Sequence, residues 1–523
     1  MNWAALLIGL LGMGIVFLIV PIVLRHSHNA KGQNRSIDLH HTHQVRVPRL
    51  GGIALAGAFT VIELVITFFF PEQSSPHDRL VLVGTSLAMF GLGLWDDLRP
   101  LGAKRKLLVQ VIIASMVCCF GIGIMSFKIP FSGHIIELQG WGVLITIVWL
   151  ISMTNLINLI DGVDGLAGGI CLMLMALLAY VGHHSGNFEL LAAGMAGALL
   201  GFLWFNFPPA RIYLGDGGAY FLGFQIGLLA LVGSHKGSIV AALVAPLFVL
   251  ALPIVDMLLA ILRRGVRGLP IFRPDRKHIH HRLLEMGFSR RKAVLSIYAV
   301  TLVFLVMGFL TFVSEGELIP ALLGIAVLIL LLCAGNLNFS REWFAVRRLV
   351  GTSLEMRQEI QYALSLTNWL ALEGPRHASL ETLWPDLVFV AQRLGFTAMT
   401  LKLADGARVW QSTDSNVSTQ SFRHALRGGD AGVLELTAPM IAPDNEGVCK
   451  GRKVSRLAIA DPKLFEIVSE LVAEGWLKAT KTWDEPKLVP LRFNSKPFIL
   501  GKLRRGTPAL APVEITREMT KTE

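Results

Sequence analysis

Residues 141–183, WGVLITIVWLISMTNLINLIDGVDGLAGGICLMLMALLAYVGH, set two apolar runs around one polar turn. The runs, read as 141–160 and 165–183, contain no Lys or Arg, and the only acids, Asp161 and Asp164, lie at the turn between them. About 20 apolar residues suffice for a helix to cross a hydrocarbon core roughly 30 Å thick. Working outward, similar runs recur near 3–24, 50–71, 80–95, 107–126, 188–207, 219–235, 239–262, 294–313 and 318–335. Together they predict an all-α polytopic membrane protein of about eleven transmembrane helices, with one or two of the short ones broken or tilted.

Composition agrees. The 523 residues are 53% hydrophobic and 16% charged, with a mean hydropathy of +0.57; a soluble domain is about a quarter charged. The first run, Trp3 to Leu24, has neither a basic leader nor a small-residue cleavage site, so it reads as a helix that stays. A net charge of +11 in such a chain reflects basic loops and not a nucleic-acid partner. The five cysteines, Cys118, Cys119, Cys171, Cys333 and Cys449, have no disulfide or zinc spacing and read as thiols in a reducing setting.

The loops alternate in basic content. Arg25, Lys31, Arg35, Arg46 and Arg49 crowd the first; the second, Glu72 to Asp78, has almost nothing basic; Arg99, Lys104, Arg105 and Lys106 fill the third. The loop from Arg263 to Lys292 is strongly basic, and the next, Ser314 to Leu318, is acidic. Basic loops stay in the cytoplasm. The expectation is an outside N-terminus, cytoplasmic odd-numbered loops and a cytoplasmic C-terminus.

Four polar clusters fall in or beside those cytoplasmic loops. Asp96-Asp97 ends the third run; adjacent carboxylates repel unless a hard cation such as Mg²⁺ or Mn²⁺ neutralises them, or Arg99 and Lys104 pair with a solvated helix end. Asn155, Asn158, Asp161 and Asp164 recur every third position, one face of a helix, before a glycine turn; polar glue between helices is the alternative, and the distal Glu of a calcium loop is missing. Asp216 lies between glycines at the start of an apolar run, where free amides and the helix dipole favour phosphate, although a plain turn also explains it. His278, His280 and His281 stand among Arg273, Arg276, Lys277 and Arg282, a basic setting that welcomes an anion over zinc. Acids for a metal and bases for phosphates on one side suit metal-assisted phosphoryl transfer. A transporter of an anionic solute or lipid would put them at mid-membrane with internal repeats.

Over roughly 1–335 these residues resemble the polyprenyl-phosphate N-acetylhexosamine-1-phosphate transferases, the family that starts O-antigen, enterobacterial common antigen and wall teichoic acid synthesis, in one superfamily with the peptidoglycan lipid I synthase. PRLGGIA after His43, WDDLRPL with Lys106 and Gln110, NLINLIDGVDGLAGG, Asn206 with Tyr213-Leu214-Gly215-Asp216, and HIHH at His278–His281 are similar to its motifs in family order. The chain departs from many relatives in carrying Leu98-Arg99-Pro100 in place of a third acid, and Gly217-Gly218-Ala219 after Asp216. The resemblance implies transfer of a sugar-1-phosphate, GlcNAc-1-phosphate above all, from a UDP-sugar to undecaprenyl phosphate at the cytoplasmic face of a bacterial inner membrane. Another UDP-N-acetyl sugar or UDP-MurNAc-pentapeptide stays open. It implies Mg²⁺ (or Mn²⁺) on Asp216 with Asp97, and Asp96 or Asp97 positioning or deprotonating the lipid phosphate. It sets Asp161 and Asp164, with Asn155 and Asn158, beside nucleotide and metal, and Asn206 and Tyr213 at the uracil. His43, Lys106, Arg276, His278, His280, His281 and Arg282 would meet the substrates, their phosphates above all. A homodimer is left open.

The transferase unit is read as 1–338 and a juxtamembrane helical linker as 339–374. A small cytoplasmic α+β domain of unknown partner or ligand follows over 375–482, then a disordered, proline-containing tail over 483–523. Within the domain the sequence predicts a helix over 380–395, a hairpin in TAMTLKLADGARVW, strands in GVLELTAP and VSRLAIAD, and a helix in PKLFEIVSELVAEGWLKA.

Overall fold

The computed structural model describes residues 3–29, 47–73, 75–128, 134–232, 239–266, 279–336, 358–377, 379–403, 406–412, 419–426, 432–439 and 462–480. The N-terminal unit is helical: α1 (Trp3–Asn29), α2 (Gly51–Phe69), α3 (Pro76–Leu98), α4 (Ala103–Cys119), α5 (Gly140–Ile160), α6 (Leu166–Ser185) and α7 (Glu189–Asn206). α8 (Gly215–Val232), α9 (Ile239–Val249), α10 (Ala251–Val266), α11 (Ile279–Glu285), α12 (Arg290–Val313) and α13 (Ile319–Asn336) complete it. A hairpin of β1 (Ser126–Lys128) and β2 (Ile135–Glu137) joins α4 to α5.

Among the described residues eight helices are long and apolar enough to cross a membrane: α1, α2, α3, α5, α6, α7, α8 and α12. This is a polytopic, multi-pass membrane protein. The run over 239–262 is not one straight helix. It breaks at Leu250, and α9 and α10 meet at a 73° bend. Pro253 lacks the amide that would bond the carbonyl four residues back, so the ladder fails at that point. α4 covers 17 residues and begins with Lys104, Arg105 and Lys106, so it falls short of the other spans in length and hydropathy.

Water drives none of this packing, because lipid is as apolar as leucine; close backbone approach does much of it. A Cβ on Gly197 of α7 would lie 1.9 Å from the Gly9 carbonyl oxygen of α1. α8 occupies the centre, with 94% of its spanning stretch buried. A helix apolar all round belongs inside a bundle. α5 docks on it through the Trp149 indole, which donates to the Gly227 carbonyl at 3.0 Å.

The C-terminal domain has a core of its own. The helix over 358–373 (α14), α15 (Leu380–Leu394) and α16 (Pro462–Ala479) pack with an antiparallel sheet of order β4-β3-β6-β5. Its strands are β3 (Ala398–Leu403), β4 (Gly406–Gln411), β5 (Thr419–Ala425) and β6 (Val433–Pro439). Alternate residues Met399 and Leu401, and Leu434 and Leu436, enter the core, as period-two burial requires. That core starts upstream of the sequence boundary at 375: Ile360, Ala363 and Leu370 are buried in it, so α14 is part of the domain and not only a linker. Nothing in TQSFRHA signals β5, whose polar residues hide the alternation. VSRLAIAD and the tail lie outside the described residues.

Candidate active site

The polar motifs meet where α2, α6 and α8 begin and α3 and α5 end. Pro48 to Gly52 runs beside Tyr213 and Leu214: Tyr213 N–H donates to the Pro48 carbonyl, Gly51 N–H to Tyr213 and Gly52 N–H to Leu214, each at 2.9 Å. Glycine is needed where backbones come this close. A Cβ on Gly52 would lie 2.4 Å from the Gly218 nitrogen, and one on Gly93 2.4 Å from the Asp216 carbonyl oxygen. Gly215, at φ +77°, turns the chain into α8 in a conformation costly for other residues.

Around the first turn of α8 the acids converge. Asp97 Oδ2 accepts from Gly217 N–H at 2.9 Å. Asp96 is buried; its Oδ1 accepts from Leu101 N–H at 2.7 Å and its Oδ2 pairs with Lys106. The same ammonium lies 3.7 Å from Asp216 Oδ2, so one cation serves two carboxylates. The Asp161 carboxyl is pushed well above the usual carboxylate range by burial and by Asp216 and Asp97 nearby, against Arg49 and the Gly215 amide. Carboxyl groups therefore outnumber the basic side chains, Lys106 and Arg49, among these residues.

A second set of contacts shapes the turn between α5 and α6. Asn206 is 3% exposed; its Oδ1 accepts from Gly165 N–H at 3.0 Å and its Nδ2 donates to the Ile212 carbonyl at 2.8 Å. Asp164 Oδ2 accepts from Ala210 N–H at 3.1 Å. Both residues thus tie the 161–165 turn to the 207–214 loop. From α12, Tyr298 donates to the Gly165 carbonyl and Arg291 Nε to the Pro208 carbonyl, the latter at 2.6 Å. The Tyr213 hydroxyl is pushed up by burial, then by Asp164, with Arg290 and Arg49 opposing. It remains a neutral hydrogen-bonding group near those charges.

Of the residues singled out in the sequence, Asp96, Asp97, Lys106, Asp161, Asp164, Asn206, Tyr213 and Asp216 come together here. Asn155 sits deeper on α5, where its Nδ2 donates to Gln110 Oε1 at 2.8 Å and joins α4 to α5; Asn158 is half-buried on the same helix. His43, Arg276 and His278 lie outside the described residues, as do the side chains of His280 and His281 in α11; Arg282, also in α11, is half-buried. α11 is capped from α10, because Asp256 Oδ1 accepts from Ile279 N–H at 3.2 Å. Sequence reasoning counted Arg49 and Arg291 as loop charge and not as site residues, and it passed over Tyr298 and Asp256. It also placed the membrane acids and bases at one face, whereas Glu63 and Arg79 are buried within α2 and α3. Asp256, an acid inside an apolar run, was open to detection on the rule that intramembrane charge marks function.

Among the described residues no three His, Cys, Asp or Glu side chains close around a metal. A magnesium ion does not require that. It keeps waters and substrate phosphates among its six ligands and takes one or two carboxylates from the protein. The acids that crowd Asp161 fit that demand. Beside them an apolar cavity between α5 and α10, lined by Leu156, Leu159, Ile160, Leu252 and Met257, also reaches Asp256 and Arg264.

A many-spanning helical bundle with clustered carboxylates, a shared lysine and a glycine-started helix at one end defines a membrane enzyme built to handle phosphate. The family described as glycosyl transferase family 4 matches residues 79–234. The chain is 32% identical over 295 residues to the probable undecaprenyl-phosphate N-acetylglucosaminyl 1-phosphate transferase of Bacillus subtilis, across 55% of this chain and 80% of that protein. It is 30% identical over 290 residues to the decaprenyl-phosphate N-acetylglucosaminephosphotransferase of Mycobacterium tuberculosis, across 49% and 70%. It is 28% identical over 324 residues to a phospho-N-acetylmuramoyl-pentapeptide-transferase of Clostridium botulinum, across 58% and 94%. The chain belongs to this family of polyprenyl-phosphate sugar-1-phosphate transferases.

Proposed function

We propose that this protein transfers GlcNAc-1-phosphate from UDP-GlcNAc to undecaprenyl phosphate, releasing UMP and leaving a lipid-diphosphate sugar that starts a cell-surface polysaccharide. The convergence of Asp97, Asp161 and Asp216 on the first turn of α8, with Lys106 between Asp96 and Asp216, carries the reading. An oxygen of the lipid phosphate attacks the β-phosphorus of the UDP-sugar. The bond from that phosphorus to the bridging oxygen breaks, and UMP leaves with the oxygen.

Mg²⁺, or Mn²⁺ in its place, held by Asp216 and Asp97, supplies neutralisation of the charge on the diphosphate. Lys106 holds Asp96 and Asp216 at a fixed separation and offers its remaining donors to a phosphate. Asp97, half-buried and capping α8, orients the lipid phosphate. Asn206 and Asp164 act by fixing the loop that carries Tyr213, so that Tyr213 can pack against the uracil. The Arg276–Arg282 segment with its histidines binds the UDP-sugar phosphates. The apolar cavity between α5 and α10 suits the first isoprene units of the acceptor.

Among the described residues eight helices are long and apolar enough to span, nine spans with the bent α9–α10 pair; the eleven-span reading adds α4 and α13 to these. With an outside N-terminus, they leave the site and the C-terminal domain in the cytoplasm. Cysteine accessibility at positions 104 and 137 in right-side-out and inverted vesicles checks the orientation. Only inverted vesicles should label position 104. Mass spectrometry of lipid products from a panel of UDP-N-acetyl sugars and UDP-MurNAc-pentapeptide decides the donor. A GlcNAc-diphosphate lipid is expected, and a product only with another donor would reassign the sugar.

A further inference from the structure

α2, α3 and α8 meet in an aromatic layer, where Phe59 and Phe90 set their rings 5.3 and 6.3 Å from that of Phe221. The ends nearest the site lie together, since Gly52 abuts Gly218 and Gly93 abuts Asp216. α2 and α8 therefore run away from the site and α3 runs toward it. One turn beyond the aromatic layer each helix carries a polar residue on the face of its phenylalanine. Glu63 is four residues after Phe59, Gln225 four after Phe221, and Ser86 four before Phe90. Glu63 is 4% exposed, and Ser86 and Gln225 are fully buried. Neither Glu63 carboxylate oxygen, nor the Ser86 hydroxyl, nor either polar atom of the Gln225 amide makes a hydrogen bond to the protein. Arg79 is the facing charge, with Nε 4.0 Å from Glu63 Oε2, beyond hydrogen-bond reach.

Buried polar atoms in folded proteins nearly always have a partner, protein or water, because an unmade hydrogen bond in a low dielectric is expensive. Charge decides which partner fits. With Glu63 ionised its charge balances that of Arg79, and an added cation or anion would then leave a net charge inside the bundle. The carboxylate needs donors, the hydroxyl needs an acceptor and the amide needs one of each. A small neutral molecule that both donates and accepts meets all three.

We propose that α2, α3 and α8 enclose a bound-water site in which ordered water bridges the Glu63 carboxylate, the Ser86 hydroxyl and the Gln225 amide. The phenylalanine layer separates it from the carboxylates of the active site. Gln225 is nine residues along α8 from Asp216, about 13 Å of helix. The water joins the three helices that carry Gly52, Asp97 and Asp216, and it does so whatever the reaction at the site.

X-ray radiolysis of the full chain in lipid nanodiscs, after exchange into heavy-oxygen water, tests this. Radicals formed from bound water mark the side chains that touch it. Phe59 and Phe221, both fully buried, should take up heavy oxygen at a dose that labels the exposed Phe422. Gln225→Leu and Ser86→Ala should each lower that uptake while Phe422 is labelled as before. If either variant fails to fold, the wild-type measurement still decides. No label on Phe59, Phe90 or Phe221 at that dose overturns the proposal. So does undiminished label in a folded Gln225→Leu protein, or a high-resolution map in which the three side chains bond directly to one another with no density between them.

Discussion

Asp97, at the end of α3, accepts a hydrogen bond from the Gly217 amide in the first turn of α8, at 2.9 Å. The carboxylate thereby satisfies an orphan amide and lies at the positive end of the helix dipole. Charge and capping can be separated. Asp97→Asn keeps an oxygen for Gly217, so its melting temperature should stay within a few degrees of wild type. Its turnover should fall by about a hundredfold or more, the scale of losing one preorganised charged group. Asp97→Ala should lose as much activity and about 1 kcal/mol of stability besides. Thermal melts and initial rates on the same preparations check both.

Lys106 stands between a buried aspartate and an active-site aspartate. Lys106→Met would leave Asp96 buried without its ammonium, a loss on the order of 3–5 kcal/mol for a buried pair. Lys106→Met with Asp96→Asn should recover most of the melting temperature and little of the activity. Recovery of both would deny the lysine a part in the chemistry.

Gly93 and Gly91 lie two residues apart on α3, and only Gly93 faces α8. A Cβ at Gly93 would meet the Asp216 carbonyl at 2.4 Å, whereas one at Gly91 meets nothing within 4 Å. Gly93→Ala should destabilise by roughly 1–3 kcal/mol, the range for overpacking, and displace Asp216 enough to abolish turnover. Gly91→Ala should match wild type in melting temperature and rate.

Tyr298 reaches from α12 to the Gly165 carbonyl, and its ring fills the space beside Gly169. Tyr298→Phe keeps the ring and removes the donor, so stability should fall by about 1 kcal/mol. If the hydroxyl sets the 161–165 turn, kcat should fall more than the KM for either substrate rises. A stability loss with unchanged kcat would make the contact purely structural.

Much of this was legible in sequence, and the parts that were not have identifiable causes. Apolar runs of spanning length mark helices without any tertiary information, because in lipid the backbone must satisfy itself. The acids at 96, 97, 161, 164 and 216 were conspicuous because they sit at the ends of runs that carry almost no charge. Which acid does what was not legible. Only the folded geometry shows Asp96 turned to the nearby Leu101 and Lys106 while Asp97 caps the distant α8. Asn206 reads as a ligand in a motif, yet both ends of its amide are used by backbone. The bend between α9 and α10 was implicit in Pro253, and the start of the C-terminal core in α14 was hidden by a change of composition at a different place. Glu63 escaped notice because it stands alone in its run, and Arg79 because it lies just before the run over 80–95; the two meet only across two helices.

Transfer itself is tested most directly by a radiolabel assay in membranes holding the full chain, supplied with tritiated UDP-GlcNAc, undecaprenyl phosphate and Mg²⁺. Label should pass to the lipid phase, and chelator or Asp216→Asn in a folded protein should abolish it. Label that stays in the aqueous phase with every UDP-N-acetyl sugar, or transfer that survives both treatments, would contradict metal-dependent transfer centred on Asp216.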